Sequence, residues 1–161
     1  MKYIDVTDEY SMGKHYQLKK QKYFIDNDGN KYNVDGKHVI LKPTEREIEV
    51  ARLLGNVIGG KVSLIPRINE PEGIKTPDYI INGEKFDLKE IKGNSRTSLY
   101  NALGKQKRQA DNFIFDISNT EISEEEAIRQ IKSIYNSNHR KWVHTLVLIE
   151  NTKIIKIFKR G

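Results

Sequence analysis

Between residues 43 and 161, segments whose apolar residues have the spacing of a helix are interspersed with segments whose apolar residues have the spacing of a strand. A helix is predicted from Thr44, an N-cap followed by acidic residues and an apolar face, to the glycine pair at 59–60. The later elements are strand 62–66, a hairpin over 77–91, helix 99–112, strand 113–118, helix 123–135 and two closing strands. This order predicts an α/β (α+β) chain in which helices flank a mixed central sheet.

Residues 1–42 have a different pattern, with short Tyr, Phe, Val and Ile runs separated by Asp-Gly pairs. Runs of this kind, interrupted by turn residues, predict a small β-meander. The pattern becomes helical near Pro43. We therefore predict a small β-rich N-terminal extension over 1–42 and a main domain over 43–161.

The predicted hairpin brings two aspartates together. Asn82 and Gly83 form a strong signal for a two-residue turn, and such a turn fixes the register of its strands. Counting outward from the turn places Asp78 directly opposite Asp87. Like charges at opposed positions destabilise a sheet, so a cation is expected between them.

A divalent cation such as Mg²⁺, with Mn²⁺ as a substitute, suits this pair because Mg²⁺ prefers oxygen ligands. Side chains on a strand alternate with a period of two, so Lys89 shares a face with Asp87. Glu90 and Lys92 offer an alternative acid–lysine pair. Their opposite parity directs them away from Asp78 unless a bulge intervenes.

Pro77-Asp78 followed by Asp87-Leu88-Lys89 resembles the motif of the PD-(D/E)xK nuclease superfamily. The resemblance implies a restriction-endonuclease-like fold built on the mixed central sheet. It also implies that Asp78 and Asp87 hold a metal ion and that Lys89 orients or activates the attacking water. These three residues are therefore predicted to be catalytic.

Glu47 lies in the middle of the apolar face of the first predicted helix, where an unpartnered carboxylate is costly. The superfamily resemblance implies an acidic residue on this helix that completes the metal site. Glu47 is thus predicted as a catalytic residue and a metal ligand, together with Asp78 and Asp87. The alternative is a first-turn glutamate that caps backbone N–H groups.

Helix 99–112 supplies the predicted substrate-binding residues. Gln106 lies at the centre of its apolar face and Gln109 at the edge, and the superfamily resemblance implies that such a glutamine reaches back to the site. A buried structural amide is the alternative. The outward positions form a basic stripe suited to phosphates, comprising Lys105, Lys107 and Arg108. A solvated helix face is the alternative for the stripe.

Composition favours a polyanionic partner. The 161 residues include 28 Lys and Arg against 22 Asp and Glu, giving a net charge of +6, which favours nucleic acid. Cysteine is absent, which excludes disulfides and thiolate metal sites. No stretch is apolar enough to predict a membrane span.

Three segments resemble the C-terminal toxin domains of contact-dependent growth inhibition proteins, over about 43–161: EREIEVARLL, TPDYIINGEKFDLKEIKGN and KQKRQADNFIFDIS. The resemblance implies an endoribonuclease that favours tRNA and a cognate, acidic immunity protein. It further implies a larger secreted or phage-derived carrier and action in the cytoplasm of a target bacterial cell. A DNase of the same fold and a non-catalytic nucleic-acid-binding module are the alternatives.

Overall fold

The structure, a computed structural model, describes residues 2–105, 107 and 109–161. As predicted, the fold is mixed α+β, with a large mixed sheet flanked by helices. The chain divides into two compact units. Unit 1 contains the residues up to Tyr10 together with Asp87–Gly161, and unit 2 is Ser11–Phe86.

The helices are α1 (Glu45–Ile58), α2 (Ser98–Ala102) and α3 (Glu124–Asn136), and a short 3₁₀ helix covers Thr7–Glu9. The strands, in chain order, are β1 (Tyr3–Asp5), β2 (Tyr16–Lys20), β3 (Tyr23–Ile25), β4 (Lys31–Asn33), β5 (Val39–Ile40), β6 (Gly60–Leu64), β7 (Arg67–Ile68), β8 (Tyr79–Ile81), β9 (Glu84–Glu90), β10 (Asn112–Asp116), β11 (Thr145–Glu150) and β12 (Lys153–Arg160).

In unit 2, β6 lies between β2 and β8, parallel to the first and antiparallel to the second. Helix α1 begins at the predicted N-cap, Thr44, and ends before Gly59. Its apolar face is buried as expected, at Val50, Ala51, Leu53, Leu54 and Val57. Two small antiparallel pairs, β3–β4 and β5–β7, complete this unit.

The hairpin that joins β8 to β9 has the predicted register, with Tyr79 opposite Phe86 and Ile81 opposite Glu84. Asn82 and Gly83 both have positive φ, 51° and 85°, as a two-residue turn of this kind requires. Asn82 also anchors the turn. Its Oδ1 accepts a hydrogen bond from the Lys61 N–H at 2.8 Å.

In unit 1 the strand order is β1-β12-β11-β10-β9. Strands β10 and β11 are parallel, whereas β12 is antiparallel to both β11 and β1. The Ile91 N–H, just past β9, donates to the Asp116 carbonyl at the end of β10. The carboxyl ends of β9 and β10 therefore coincide, and both strands begin at the same edge of the sheet.

The predicted N-terminal β-meander is wrong in its pairing. Only β3 and β4 form a local hairpin, because β1 pairs with β12 and β2 with β6. Local sequence patterns identify strands, whereas their partners depend on contacts made far along the chain. The predicted division into an extension over 1–42 and a main domain over 43–161 stays a prediction.

The predicted helix 99–112 is also wrong in its length. Helix α2 stops at Ala102, and Gly104 adopts a left-handed φ of 77°, a conformation that ends a helix. Residues 105, 107 and 109–111 are not helical. Lys105 and Lys107 of the basic stripe therefore do not lie on a helix face, whereas Gln106 and Arg108 lie outside the described residues.

Candidate active site

The clearest cluster of candidate functional side chains in unit 1 is centred on Asp87, which is only 5% exposed. Lys89 Nζ lies 3.0 Å from Asp87 Oδ2, which confirms that the two side chains share a face of β9. Gln109 Nε2 donates to the same oxygen at 2.8 Å. A buried carboxylate is thus held by an ammonium and an amide.

The order of the chain explains why these three groups meet. Asp87 and Lys89 lie two residues apart on β9, and Gln109 lies three residues before β10 begins. Since β9 and β10 start at the same edge of the sheet, the residue that leads into β10 reaches the carboxylate on β9. Two donors on one oxygen stabilise the charged form that burial would otherwise disfavour.

The alternative acid–lysine pair does not have this geometry. Glu90 and Lys92 are both exposed, while Ile91 between them is buried. The parity argument made from the sequence agrees with this arrangement. Among these residues, the ion pair that the structure contains is that of Asp87 with Lys89.

Glu47, in unit 2, makes the contacts of a capping glutamate. Its Oε1 accepts from the Thr44 N–H at 3.0 Å, and its own N–H donates to Thr44 Oγ1 at 3.1 Å. Arg67 Nη2 also donates to Glu47 Oε1 at 2.9 Å. The capping alternative is therefore present in the structure, and the Arg67 partner was not predicted because no local pattern links the two residues.

Asp78, also in unit 2, directly precedes β8 and is half-buried. Its carbonyl accepts from the Ile65 N–H at 3.2 Å. The hairpin ladder ends with the pair Tyr79 and Phe86, one position short of Asp78 and Asp87. The predicted opposition of the two aspartates, and the convergence of both with Glu47, stay predictions.

Of the predicted substrate-binding residues that the structure describes, Gln109 has a defined role through Asp87. Lys105 is exposed, and Lys107 forms a long ion pair with Asp111, with Nζ and Oδ2 3.8 Å apart. Gln109 contacts Asp87 although it does not lie on a helix, and its role in substrate binding stays a prediction. The strand-leading position of Gln109 was the usable signal.

Carboxylate oxygens are the donors that Mg²⁺ and Mn²⁺ require, so the side chains of Glu47, Asp78 and Asp87 fit such an ion in ligand type. Within residues 2–105, 107 and 109–161, no group of three or more His, Cys, Asp or Glu residues is placed to hold a metal ion. Mg²⁺ commonly binds through one or two carboxylates and several waters, which is the arrangement this donor set can supply.

The comparison with family models adds an observation independent of this geometry. Residues 75–154 match the contact-dependent growth inhibition CdiA C-terminal domain. The match covers slightly less than half of the chain and includes Asp78, Asp87, Lys89 and Gln109. It supports the relationship to CdiA toxin domains that the sequence segments indicated.

A solved structure agrees with the fold. The chain is similar to one in a CdiA-CT/CdiI toxin and immunity complex from Burkholderia pseudomallei, at 23% identity and a TM-score of 0.54. The alignment covers 88% of this chain and 98% of the other. At this identity the likeness concerns the fold alone. No curated protein matches the chain.

Across the described part of the chain, no helix is both long enough and apolar enough to cross a membrane. The longest helix, α1, has 14 residues, fewer than the roughly 20 that a bilayer requires.

Proposed function

We propose that this chain is the toxin domain of a contact-dependent growth inhibition protein and acts as a metal-dependent endonuclease, most favourably an endoribonuclease that cleaves tRNA. The observation that carries the proposal is the buried Asp87 carboxylate held by Lys89 and Gln109. It lies within the segment that matches the CdiA C-terminal domain. The net charge of +6 supports a polyanionic substrate.

Asp87 and Asp78, with Glu47 as a third candidate, would hold the Mg²⁺ ion. Bound there, the ion would polarise a phosphoryl oxygen and lower the pKa of a coordinated water. Lys89 is the group of this chain best suited to orient that water or to stabilise charge on the phosphate, since its ammonium is fixed 3.0 Å from Asp87 Oδ2. Gln109 holds the Asp87 carboxylate in place and is a positioning residue.

A toxic ribonuclease requires a means of protecting the cell that makes it. The solved relative is a complex of toxin with immunity protein. We extend this to the present chain as a proposal: a cognate immunity protein, acidic enough to complement a basic domain, blocks its activity. Delivery on a larger carrier and action in the cytoplasm of a target cell belong to the same proposal.

Two other functions fit parts of the molecule. A DNase would use the same carboxylates and lysine, because the contact that distinguishes RNA is made to the 2′-OH. A non-catalytic nucleic-acid-binding module would need the basic surface alone. The buried Asp87–Lys89 pair favours catalysis, since a binding module gains nothing from placing a carboxylate near phosphates.

One set of incubations separates these functions. The protein is mixed with tRNA, total RNA or duplex DNA, each with Mg²⁺, with Mn²⁺ or with EDTA. We expect cleavage of tRNA with either metal and none with EDTA. Faster cleavage of duplex DNA at equal protein and metal concentration would assign a DNase, and binding without cleavage of any substrate would assign the binding module.

A further inference from the structure

Unit 1 contains a pocket of about 350 Å³ at the end of α3 and β12. Basic and polar side chains line much of it, namely Lys2, Lys141, Arg160, Ser137 and Asn138, with Tyr135 alongside. None of its lining residues is Asp or Glu. Of the residues that the structure describes, none places a carboxylate within ion-pair distance of Lys2 or Lys141.

Arg160 holds one wall of this pocket in place. Its Nε donates to the Val143 carbonyl at 2.7 Å, its Nη2 donates to the Arg140 carbonyl at 2.9 Å, and its guanidinium stacks over the ring of Tyr135. Its partners in these contacts carry no formal charge, so no carboxylate neutralises Arg160 there. Arg160 also contacts the Tyr135 carbonyl at 3.5 Å, which offsets the negative end of α3.

A second uncompensated cation lies next to the pocket lining. Arg140 is 5% exposed, stacks over Tyr100 and pairs with no carboxylate in the described ranges. Its Nε has no hydrogen-bond partner in the structure. Because no carboxylate neutralises its charge, Arg140 adds positive potential to the pocket, whose lining already includes three basic side chains.

The pocket lies at the same edge of unit 1 as the candidate active site, because Arg160 is at the end of β12, beside the start of β11. Thr145 at the start of β11 faces Asn112 on one side and Lys159 on the other, and Asn112 begins the strand next to β9. In a parallel pair, the hydrogen bond from the Ile91 N–H to the Asp116 carbonyl sets Glu90 opposite Asp116, so Asp87 lies opposite Phe113, the residue next to Asn112 on β10. Three strand spacings separate β9 from β12, a distance of about 14 Å.

We propose that this pocket is a phosphate-binding site that holds a backbone phosphate of the nucleic acid, about three strands away from the nucleotide being cleaved. The inference rests on the proposed function, because it takes the substrate to be nucleic acid. Lys2 and Lys141 supply the mobile ammonium donors, Ser137 and Asn138 supply polar groups, and Arg160 with Arg140 supply the fixed positive field. Phosphate contacts of this type position a substrate without selecting its sequence.

The test replaces the two lysines and leaves Arg160 intact, because Arg160 also holds three carbonyls. The variant is Lys2→Gln with Lys141→Gln, and the matched control is Lys153→Gln, an exposed lysine at the far end of β12, roughly 23 Å from Arg160. Untagged protein is used, since Lys2 and Gly161 both line the pocket.

Binding is measured in an Asp87→Asn background by anisotropy of labelled tRNA over a series of salt concentrations. The slope of log K against log salt falls in magnitude by about 1 for each phosphate contact that is lost, so the double variant, which loses the one phosphate held in the pocket, lowers it by about 1. When Asp87 is retained, the double lysine variant is expected to have a KM for tRNA at least about tenfold higher than the unchanged protein, with kcat within about twofold. Lys153→Gln alters neither quantity. Equal slopes for all three proteins would overturn the proposal.

A separate titration with inorganic phosphate and pyrophosphate reports on the pocket without any cleavage. Amide resonances of Asn138 and Lys141 are expected to shift in the unchanged protein and to remain still in the double variant. If no substrate is cleaved while these shifts persist, the proposed function fails and the phosphate site stands. If tRNA is cleaved and the resonances do not respond, the phosphate site fails alone.

Discussion

At the scale of single residues, the strand period was enough to predict that Lys89 lies beside Asp87, because both are on one strand and two positions apart. The same reasoning disfavours Glu90 and Lys92, whose side chains are exposed in the structure. Glu47 shows the limit of such arguments. A carboxylate on an apolar helix face needs a partner, but whether that partner is a cap, an arginine or a metal depends on residues far along the chain.

Asp87→Asn is expected to reduce tRNA cleavage at least about 100-fold, because it removes a charged oxygen ligand and the partner of Lys89. Initial cleavage rates are compared at fixed Mg²⁺ alongside thermal unfolding and circular dichroism, which should show a retained fold. Asp8→Asn, at an exposed aspartate, is the control. Full activity in Asp87→Asn would contradict the assigned site.

Glu47→Gln separates the two roles of Glu47. Glutamine can also fill the third position of a capping box, and the ion pair lost with exposed Arg67 is worth at most about 1 kcal/mol, so stability should fall by no more than that. If Glu47 also binds the metal, cleavage falls at least about tenfold while the urea midpoint scarcely moves. Glu45→Gln, exposed in the same turn, is the control. Unchanged cleavage would leave Glu47 as a cap only.

At the scale of elements, the sequence was most informative where structure is local. The cap of α1, the Asn-Gly turn and the closing strands all carry their own short-range signals and were predicted. The prediction of a helix over 99–112 failed because the apolar spacing continues past Gly104, whereas the backbone at Gly104 adopts a left-handed conformation. Apolar spacing indicates burial and not helix as such, because Leu103 and Ala110 are buried although neither is helical.

The hairpin turn gives a test at this scale. Asn82→Ala removes the hydrogen bonds of the Asn82 amide with the backbone of Lys61 and Gly59. It also puts alanine, which disfavours positive φ, at a position where φ is 51°. We expect a loss of about 2 kcal/mol in the free energy of unfolding, measured in urea. Asn82→Gly keeps the permitted φ and should lose less. Equal losses in the two variants would show that backbone conformation contributes nothing.

Helix α3 supplies a pH-dependent contribution. Hydrogen bonds from Arg129 and Gln130 lower the pKa of Glu126 from 4.5 to about 2. The folded protein thus binds this proton less readily than the unfolded chain, so the stabilisation is complete above pH 4.5 and is lost as pH falls towards about 2. Thermal midpoints across this window should fall less steeply for Glu126→Gln than for the unchanged protein. Glu125→Gln, at an exposed position in the same turn, is the control. If the thermal midpoint of Glu126→Gln falls with pH as steeply as that of the unchanged protein, Glu126 does not cause the pH dependence.

At the scale of the whole molecule, the sequence predicted the fold class but not which strands pair over long distances in the chain. The first strand belongs with the last, and nothing near Tyr3–Asp5 identifies Lys153–Arg160 as its partner. Such pairings depend on which strand edges remain after all other elements have packed. The basic charge, in contrast, is a property that composition alone provides.

Cleavage of tRNA is expected to decline steeply between about 50 and 200 mM salt, because each phosphate contact releases counterions. Initial rates at subsaturating tRNA, with Mg²⁺ constant, measure the effect. Thermal unfolding at the same salt concentrations is the control for loss of fold. A rate independent of salt would contradict binding through phosphates. Replacing Lys105 and Arg108 together by alanine should weaken tRNA cleavage further.

The pairing of β1 with β12 determines when unit 1 can be completed during synthesis. Strand β1 is synthesised before any residue of unit 2, whereas its partner β12 is synthesised after all of them. All residues of unit 2 lie between these two strands in the sequence, so unit 2 can fold before β12 has been synthesised to pair with β1. The Asp87–Lys89 pair belongs to the unit that is finished last. A chain that stops before β12 would therefore lack a complete unit 1, and we expect such a chain to show none of the proposed cleavage.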